Sequence, residues 1–78
     1  MEIDKEHLAK AFGEAVRELR EEKGFSQESL CLEAEIARSF LSELERGVKL
    51  PTLATLFVIA ETLGIKASSL VVKTEDRL

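Results

Sequence analysis

Three glycines divide this chain, and their spacing leaves room for short helices and little else. Gly24, Gly47 and Gly64 each follow a run of helical periodicity and stand where a left-handed residue closes a helix. Ahead of Gly24, the apolar residues Leu8, Phe12, Val16 and Leu19 fall on one stripe and predict a helix from Lys5 to Lys23. Gly13 lies inside it, costs up to about 1 kcal/mol relative to alanine, and is read as tolerated there. Ser26 is a good N-cap for a second helix from Gln27 to Ala34, with Leu30 and Ala34 facing inward. A third helix, from Arg38 to Arg46, carries Leu41 and Leu44 inward and stops at Gly47. Pro51 blocks backward extension of a fourth, which Thr52 caps and which runs through Leu63. Its stripe is Leu53, Leu56, Phe57, Ala60 and Leu63, and it is expected to be the most buried helix. Ile65 to Val72 holds a last turn or two of helix, and Lys73 to Leu78 is read as a frayed polar tail. No strand pattern or internal repeat interrupts this series, so the expected fold is all-α.

The 78 residues suit a single domain, 1–78, because so short a chain cannot divide its apolar residues between two cores. Area scaling gives about 12,600 Å² of unfolded surface against about 4,700 Å² folded, enough burial for independent stability. The longest apolar run, Leu56 to Ala60, is far short of a membrane span. The start, Met-Glu-Ile-Asp-Lys-Glu, is acidic where a signal peptide is basic, so the expected compartment is the cytoplasm. With one cysteine, Cys31, and one histidine, His7, neither an internal disulfide nor a zinc site is expected, and no cofactor or metal is called for. No nucleophile–base pairing and no phosphate-cradling glycine loop is present, so no enzyme is expected. The net charge of −4 argues at first against nucleic acid. Net charge does not describe a face, however. Seven of the acids precede Lys23 and two sit in the tail; the six left in the middle meet Lys23, Arg38, Arg46, Lys49 and Lys66, so that segment is almost neutral.

Two short helices joined by a few residues, held between a longer helix and an apolar one, form a helix-turn-helix arrangement by spacing. The residues narrow it: Leu-Arg-Glu-Glu-Lys-Gly-Phe-Ser-Gln-Glu from Leu19 to Glu28, Arg-Ser-Phe-Leu-Ser-Glu-Leu-Glu-Arg-Gly from Arg38 to Gly47, Pro51-Thr52-Leu53, and Ile59-Ala60-Glu61-Thr62-Leu63-Gly64. In combination these resemble the lambda-repressor and Cro type of helix-turn-helix, the xenobiotic-response-element family, from about Phe12 to Val71. The resemblance implies a compact five-helix, lambda-repressor-like DNA-binding domain with its motif at about residues 26–47, and a cytoplasmic regulator of transcription.

In that family the helix after the turn enters the major groove and its first residues touch base edges. Carried over residue by residue, the base-reading places are Ala37, Arg38, Ser39 and Glu43, with Ser42 one turn along from Arg38. Arg38 is the specificity candidate, because a guanidinium pairs bidentately with guanine O6 and N7; its plainer reading is a solvated arginine. Glu43 either accepts from cytosine N4 or lies on the groove's rim. Gln27 matches a glutamine that reaches a phosphate from the start of the second helix, where backbone N–H groups favour anions; otherwise it is an exposed polar residue. Ser26, Phe40, Arg46 and Lys49 are placed along the same phosphate backbone, with Phe40 wholly or partly core as the alternative. Arg20 and Glu45 match a pair that joins the first helix to the end of the third.

Two departures stand out. Glu35 occupies a turn position where the family usually has glycine, and a left-handed backbone there costs roughly 1 kcal/mol. Ala37 stands where a serine or threonine usually caps the recognition helix, forfeiting about 1 kcal/mol. Cys31 replaces a common alanine and is read as a small buried hydrophobe. The function implied is a homodimer that binds double-stranded DNA sequence-specifically at a palindromic operator, such as a restriction-modification controller protein or small phage repressor. Ile65, Leu70, Val71 and Val72 are the candidate dimer interface or, alternatively, close the core. A protein-interaction adaptor or antitoxin-like protein on the same scaffold is the other function carried forward, which an isoelectric point near 5.0 would suit.

Overall fold

The computed structural model describes residues 2–78 and consists there of five helices and their connections. They are α1 (Lys5–Glu22), α2 (Gln27–Ala34), α3 (Arg38–Glu45), α4 (Leu53–Leu63) and α5 (Ala67–Glu75). Each of the five helix starts behaves as its N-cap residue dictates, Lys66 giving α5 no side-chain cap. Asp4 accepts from the Glu6 and His7 amides at α1, Ser26 from Ser29 at α2, and Thr52 from Thr55 at α4, whereas Ala37 gives α3 no side-chain cap. Gly24, Gly47 and Gly64 all take positive φ beyond their helices. Glu35, the non-glycine residue with positive φ, closes α2 at φ 57°, ψ 45°. Among the described residues no single helix is long and apolar enough to cross a membrane.

One core cluster joins all five helices: Phe12, Ala15, Val16 and Leu19 of α1 meet Leu30 and Cys31 of α2, Leu41 and Leu44 of α3, Ile59, Ala60 and Leu63 of α4, and Leu70 of α5. The folded surface is 5040 Å², close to the area expected for this mass. Helix α1 lies between α3 and α5 and is buried on two sides, so Ala9, Ala11 and Ala15 are enclosed beside the larger stripe.

Four sequence expectations need correction. Gly13 is required, not tolerated: a Cβ there would come within 2.7 Å of the Glu45 carbonyl oxygen and collide with that of Leu44. Helix α1 therefore crosses the last turn of α3 at backbone contact. Helix α4 is not the most buried. Its inward stripe is Leu56, Ile59, Ala60 and Leu63, while Leu53 is 71% and Phe57 56% exposed. Phe57 stands about 100° around the helix from Leu56, so a run that is apolar all round cannot be wholly buried and its period does not reveal the buried side. The segment 73–78 is not a frayed tail. Helix α5 continues to Glu75, Thr74 is buried with its hydroxyl donating to the Leu70 carbonyl at 2.9 Å, Lys73 Nζ meets Glu18 Oε1 at 3.2 Å, and the Arg77 guanidinium contacts Glu14 and Glu18. Acidic residues on α1 supply the partners that a polar tail lacks when read alone. Leu70, finally, is completely enclosed in the chain's own core and has no surface to offer a second copy.

Candidate nucleic-acid interface

Helix α2, the turn 35–37 and α3 present one outer surface. On α3, Arg38, Ser39, Ser42, Glu43 and Arg46 fall within an arc of about 140°, opposite the buried Leu41 and Leu44. Ala37, Arg38 and Ser39 are exposed at the start of α3, and Ser42 and Glu43 are half-buried one turn further on. The left-handed Glu35 turns the chain sharply enough to set α3 across α2, and the Ile36 amide donates back to the Cys31 carbonyl at 3.1 Å.

A buried ionic clasp fixes this unit to the scaffold. Arg20 Nε donates to Glu45 Oε2 at 2.7 Å and Arg20 Nη2 to Oε1 at 3.0 Å, with side chains only 9% and 4% exposed. The remaining terminal nitrogen, Nη1, donates to the Phe25 carbonyl at 2.8 Å, and Gln27 Nε2 donates to Glu45 Oε1 at 3.0 Å. The hydrogen bond to Glu45 raises the Arg20 pKa, against a burial effect that lowers it, so the guanidinium stays charged. One carboxylate thus ties the end of α1, the start of α2 and the end of α3 together. Bidentate, doubly satisfied geometry of this kind is what lets an ion pair out of water without a large penalty.

The clasp changes how several candidates can act. Gln27 is held by Glu45 and keeps only its second amide hydrogen for a phosphate. The Ser26 hydroxyl accepts from the Ser29 amide at 3.0 Å and bonds the Ser29 hydroxyl at 3.1 Å, so it serves the cap of α2. Phe40 is half-buried against the core, the alternative the sequence offered for it, and its amide donates to the Ala37 carbonyl at 3.1 Å. Arg46 is exposed and has no carboxylate partner among the described residues. Lys49 Nζ lies 3.2 Å from Glu43 Oε1, and Arg38 Nη1 lies 3.8 Å from Glu28 Oε2 with both side chains largely exposed. Cys31 is buried on the inner side of α2; burial pushes its thiol pKa up although the positive charge of Arg38 pulls it down, as expected of an inert core thiol.

Two residues of this surface escaped the sequence reading. Lys10 packs against Gly47, where an added Cβ would stand 2.8 Å from its Cα, which brings it beside the Arg46 and Lys49 end of α3. Its spacing of three residues from Gly13 was the available signal, since both then face α3. Glu28 was the other, one residue past Gln27.

A scaffold that grips a short helix by its last turn and leaves its first turn open is a helix-turn-helix. The comparisons with known proteins agree: a helix-turn-helix family model matches residues 16–70, and the chain belongs to that family, of the Cro/C1 type. It is 36% identical over 69 residues to y4dJ, named an HTH-type transcriptional regulator, of Sinorhizobium fredii, covering 88% of this chain and 90% of that one. Other relatives are much longer, and the chain spans 14% of one of them. Among solved structures, the restriction-modification controller protein C.AhdI of Aeromonas hydrophila superposes with a TM-score of 0.77 at 35% identity, over 80% of this chain and 94% of that one. The biofilm master regulator SinR, solved in complex with DNA, superposes with a TM-score of 0.73 at 30% identity, over 77% of this chain and 97% of that one. The five-helix architecture is that of the lambda-repressor-like fold.

Proposed function

We propose that this protein is a sequence-specific double-stranded DNA-binding regulator of transcription that acts as a homodimer on a palindromic operator. The observation that carries the reading is the α3 surface: an exposed arginine, two serines and a glutamate on one arc, in a helix whose far end is clamped through Glu45. A helix fits the major groove, where Arg38 suits guanine and Ser39 and Ser42 accept or donate to several bases. Arg46, Lys49 and Lys10 then lie at the end of α3 that approaches phosphate, and the family relatives named as regulators support the assignment. No catalytic step, metal or cofactor enters this reading.

One short helix makes few base contacts, and a twofold pair doubles them. The surface that suits a second copy is broader than α5 alone. Leu53, Phe57 and Val58 of α4 and Val71 and Val72 of α5 are all exposed, with Ile65 half-buried beside them. Phe57 borders one hollow, against Ala60 and Ile65, and Leu53 borders a groove of about 330 Å³ floored by Phe12, Leu56 and Val71. Exposed apolar side chains and hollows on the same two helices are features that an isologous interface can use.

Selection of bound sequences from a random duplex library tests the proposal. Enrichment of an inverted repeat with half-sites about one helical turn apart, about 34 Å, is the expected result; no enrichment over input overturns it. The second reading, an adaptor or antitoxin-like protein, is favoured by the net charge of −4. It predicts no duplex binding even at low salt.

A further inference from the structure

The candidate interface is electrically unusual for a surface that meets a polyanion. Beside Lys10 of α1, its cations Arg38, Arg46 and Lys49 are accompanied by the acids Glu28, Glu33, Glu35 and Glu43 on the same two helices and their connections. Two of the three cations already hold carboxylates: Lys49 on Glu43 at 3.2 Å and Arg38 on Glu28 at 3.8 Å. The Glu43 side chain is only 31% exposed, so its carboxylate is partly shielded and stays beside the ammonium more firmly than a fully exposed pair. By helical geometry Glu43 lies at one edge of the outer arc of α3.

We propose that Glu43 is a specificity-determining counter-charge: it occupies the Lys49 ammonium in the free protein and yields it to a phosphate only where the base contacts of α3 hold the duplex in register. This inference rests on the DNA-binding reading above. Non-specific binding comes almost entirely from phosphate neutralisation. A loosely held random duplex, lacking the alignment that base contacts impose, leaves Lys49 on Glu43 and feels the carboxylate's repulsion. A cognate duplex brings its phosphate to Lys49 at fixed geometry and displaces the carboxylate. Glu43 therefore acts against wrong partners more than for the right one, which is how rejection adds to selectivity.

The test is Glu43→Gln, which keeps the side chain's shape and removes its charge, titrated with random duplex and with a duplex taken from selection, between 50 and 200 mM salt. Freeing one cation steepens the salt dependence on random duplex by about 0.9 in log–log slope, about a 3.5-fold larger gain on lowering the salt fourfold. The cognate-to-random ratio falls by a similar factor. The double variant Glu43→Gln/Lys49→Gln loses the steepening, because no cation is left to free. Asp76→Asn, at the C-cap of α5, a helix that packs on α1 and α4, controls for net charge and leaves the slope unchanged. Unchanged random binding by Glu43→Gln in a chain with the wild-type melting temperature overturns the proposal. So does equal steepening by Asp76→Asn, or a selective loss on the cognate duplex, which would make Glu43 a base reader. Wild-type protein that binds no duplex at all overturns the DNA-binding reading first.

Discussion

At the scale of single residues, position along α3 separates two arginines of the same chemistry. Arg38 stands at the open start of the helix and Arg46 at its clamped end, each on the outer arc. Arg38→Ala is expected to lose about 1–3 kcal/mol on a cognate duplex, relaxing preference at one base position and sparing random duplex. Arg46→Ala should weaken both duplexes alike and flatten the salt slope by about one unit; titrations at several salt concentrations distinguish the two. Gly13 gives a second prediction. Alanine in a helix interior ordinarily gains about 1 kcal/mol over glycine, but here its methyl meets the Glu45 carbonyl at 2.7 Å. Overpacking of a backbone that cannot move aside costs about 1–3 kcal/mol, so Gly13→Ala should lower the thermal midpoint, and an unchanged or raised midpoint would refute the close crossing. The resemblance to the lambda-repressor and Cro type made the Arg20–Glu45 pair and the α3 candidates legible, while residue type and spacing supplied the helix that carries them. Gly13 was illegible because its reason lies on another helix, and the hydrogen bonds that occupy Ser26 within the α2 cap and the core packing of Phe40 depend on partners that spacing alone does not weigh.

At the scale of elements, the helix boundaries were readable because caps and stops are local. Asp4, Ser26, Thr52 and the three positive-φ glycines each act within about one turn. What was not readable is which side of α4 faces inward and how far α5 runs, since both depend on partners distant in the chain: Leu70 and Ile59 in one core cluster, Lys73 and Arg77 on Glu18. The turn between α2 and α3 stores the strain that the sequence foretold. Glu35 holds φ 57°, so Glu35→Gly should stabilise the fold by up to about 1 kcal/mol, read as a raised midpoint in chemical denaturation. A fall would mean that the carboxylate makes a contact worth more than the strain. The clasp holding α3 predicts coupling. Arg20→Ala and Glu45→Ala each remove one side of a pair that is almost wholly buried, at roughly 3 kcal/mol each. The double variant should lose clearly less than their sum, because the same interaction disappears in both; additivity would show that the two act separately.

At the scale of the whole molecule, the chain divides its labour between a polar surface on α2 and α3 and an apolar one on α4 and α5. Charge is arranged to match: acidic residues of α1 pair with Lys73 and Arg77, while the α2 and α3 surface mixes both signs, with Lys49 beside Glu43 and Arg38 beside Glu28. The homodimer proposed above would supply geometry in place of attraction by setting two copies in register. The exposed Phe57 is the point where the dimer proposal becomes testable, because it borders the hollow against Ala60 and Ile65 and supports none of the monomer's core. Phe57→Glu buries a charge in any twofold interface formed there, at a cost that abolishes a dimer of ordinary strength. The variant should fold with an unaltered thermal midpoint at low concentration, sediment as a monomer where the wild type sediments as a dimer, and lose its preference for an inverted repeat over a single half-site. A wild-type chain that remains monomeric at high micromolar concentration, with and without a palindromic duplex, would remove α4 from the assembly and leave each copy to read its half-site alone.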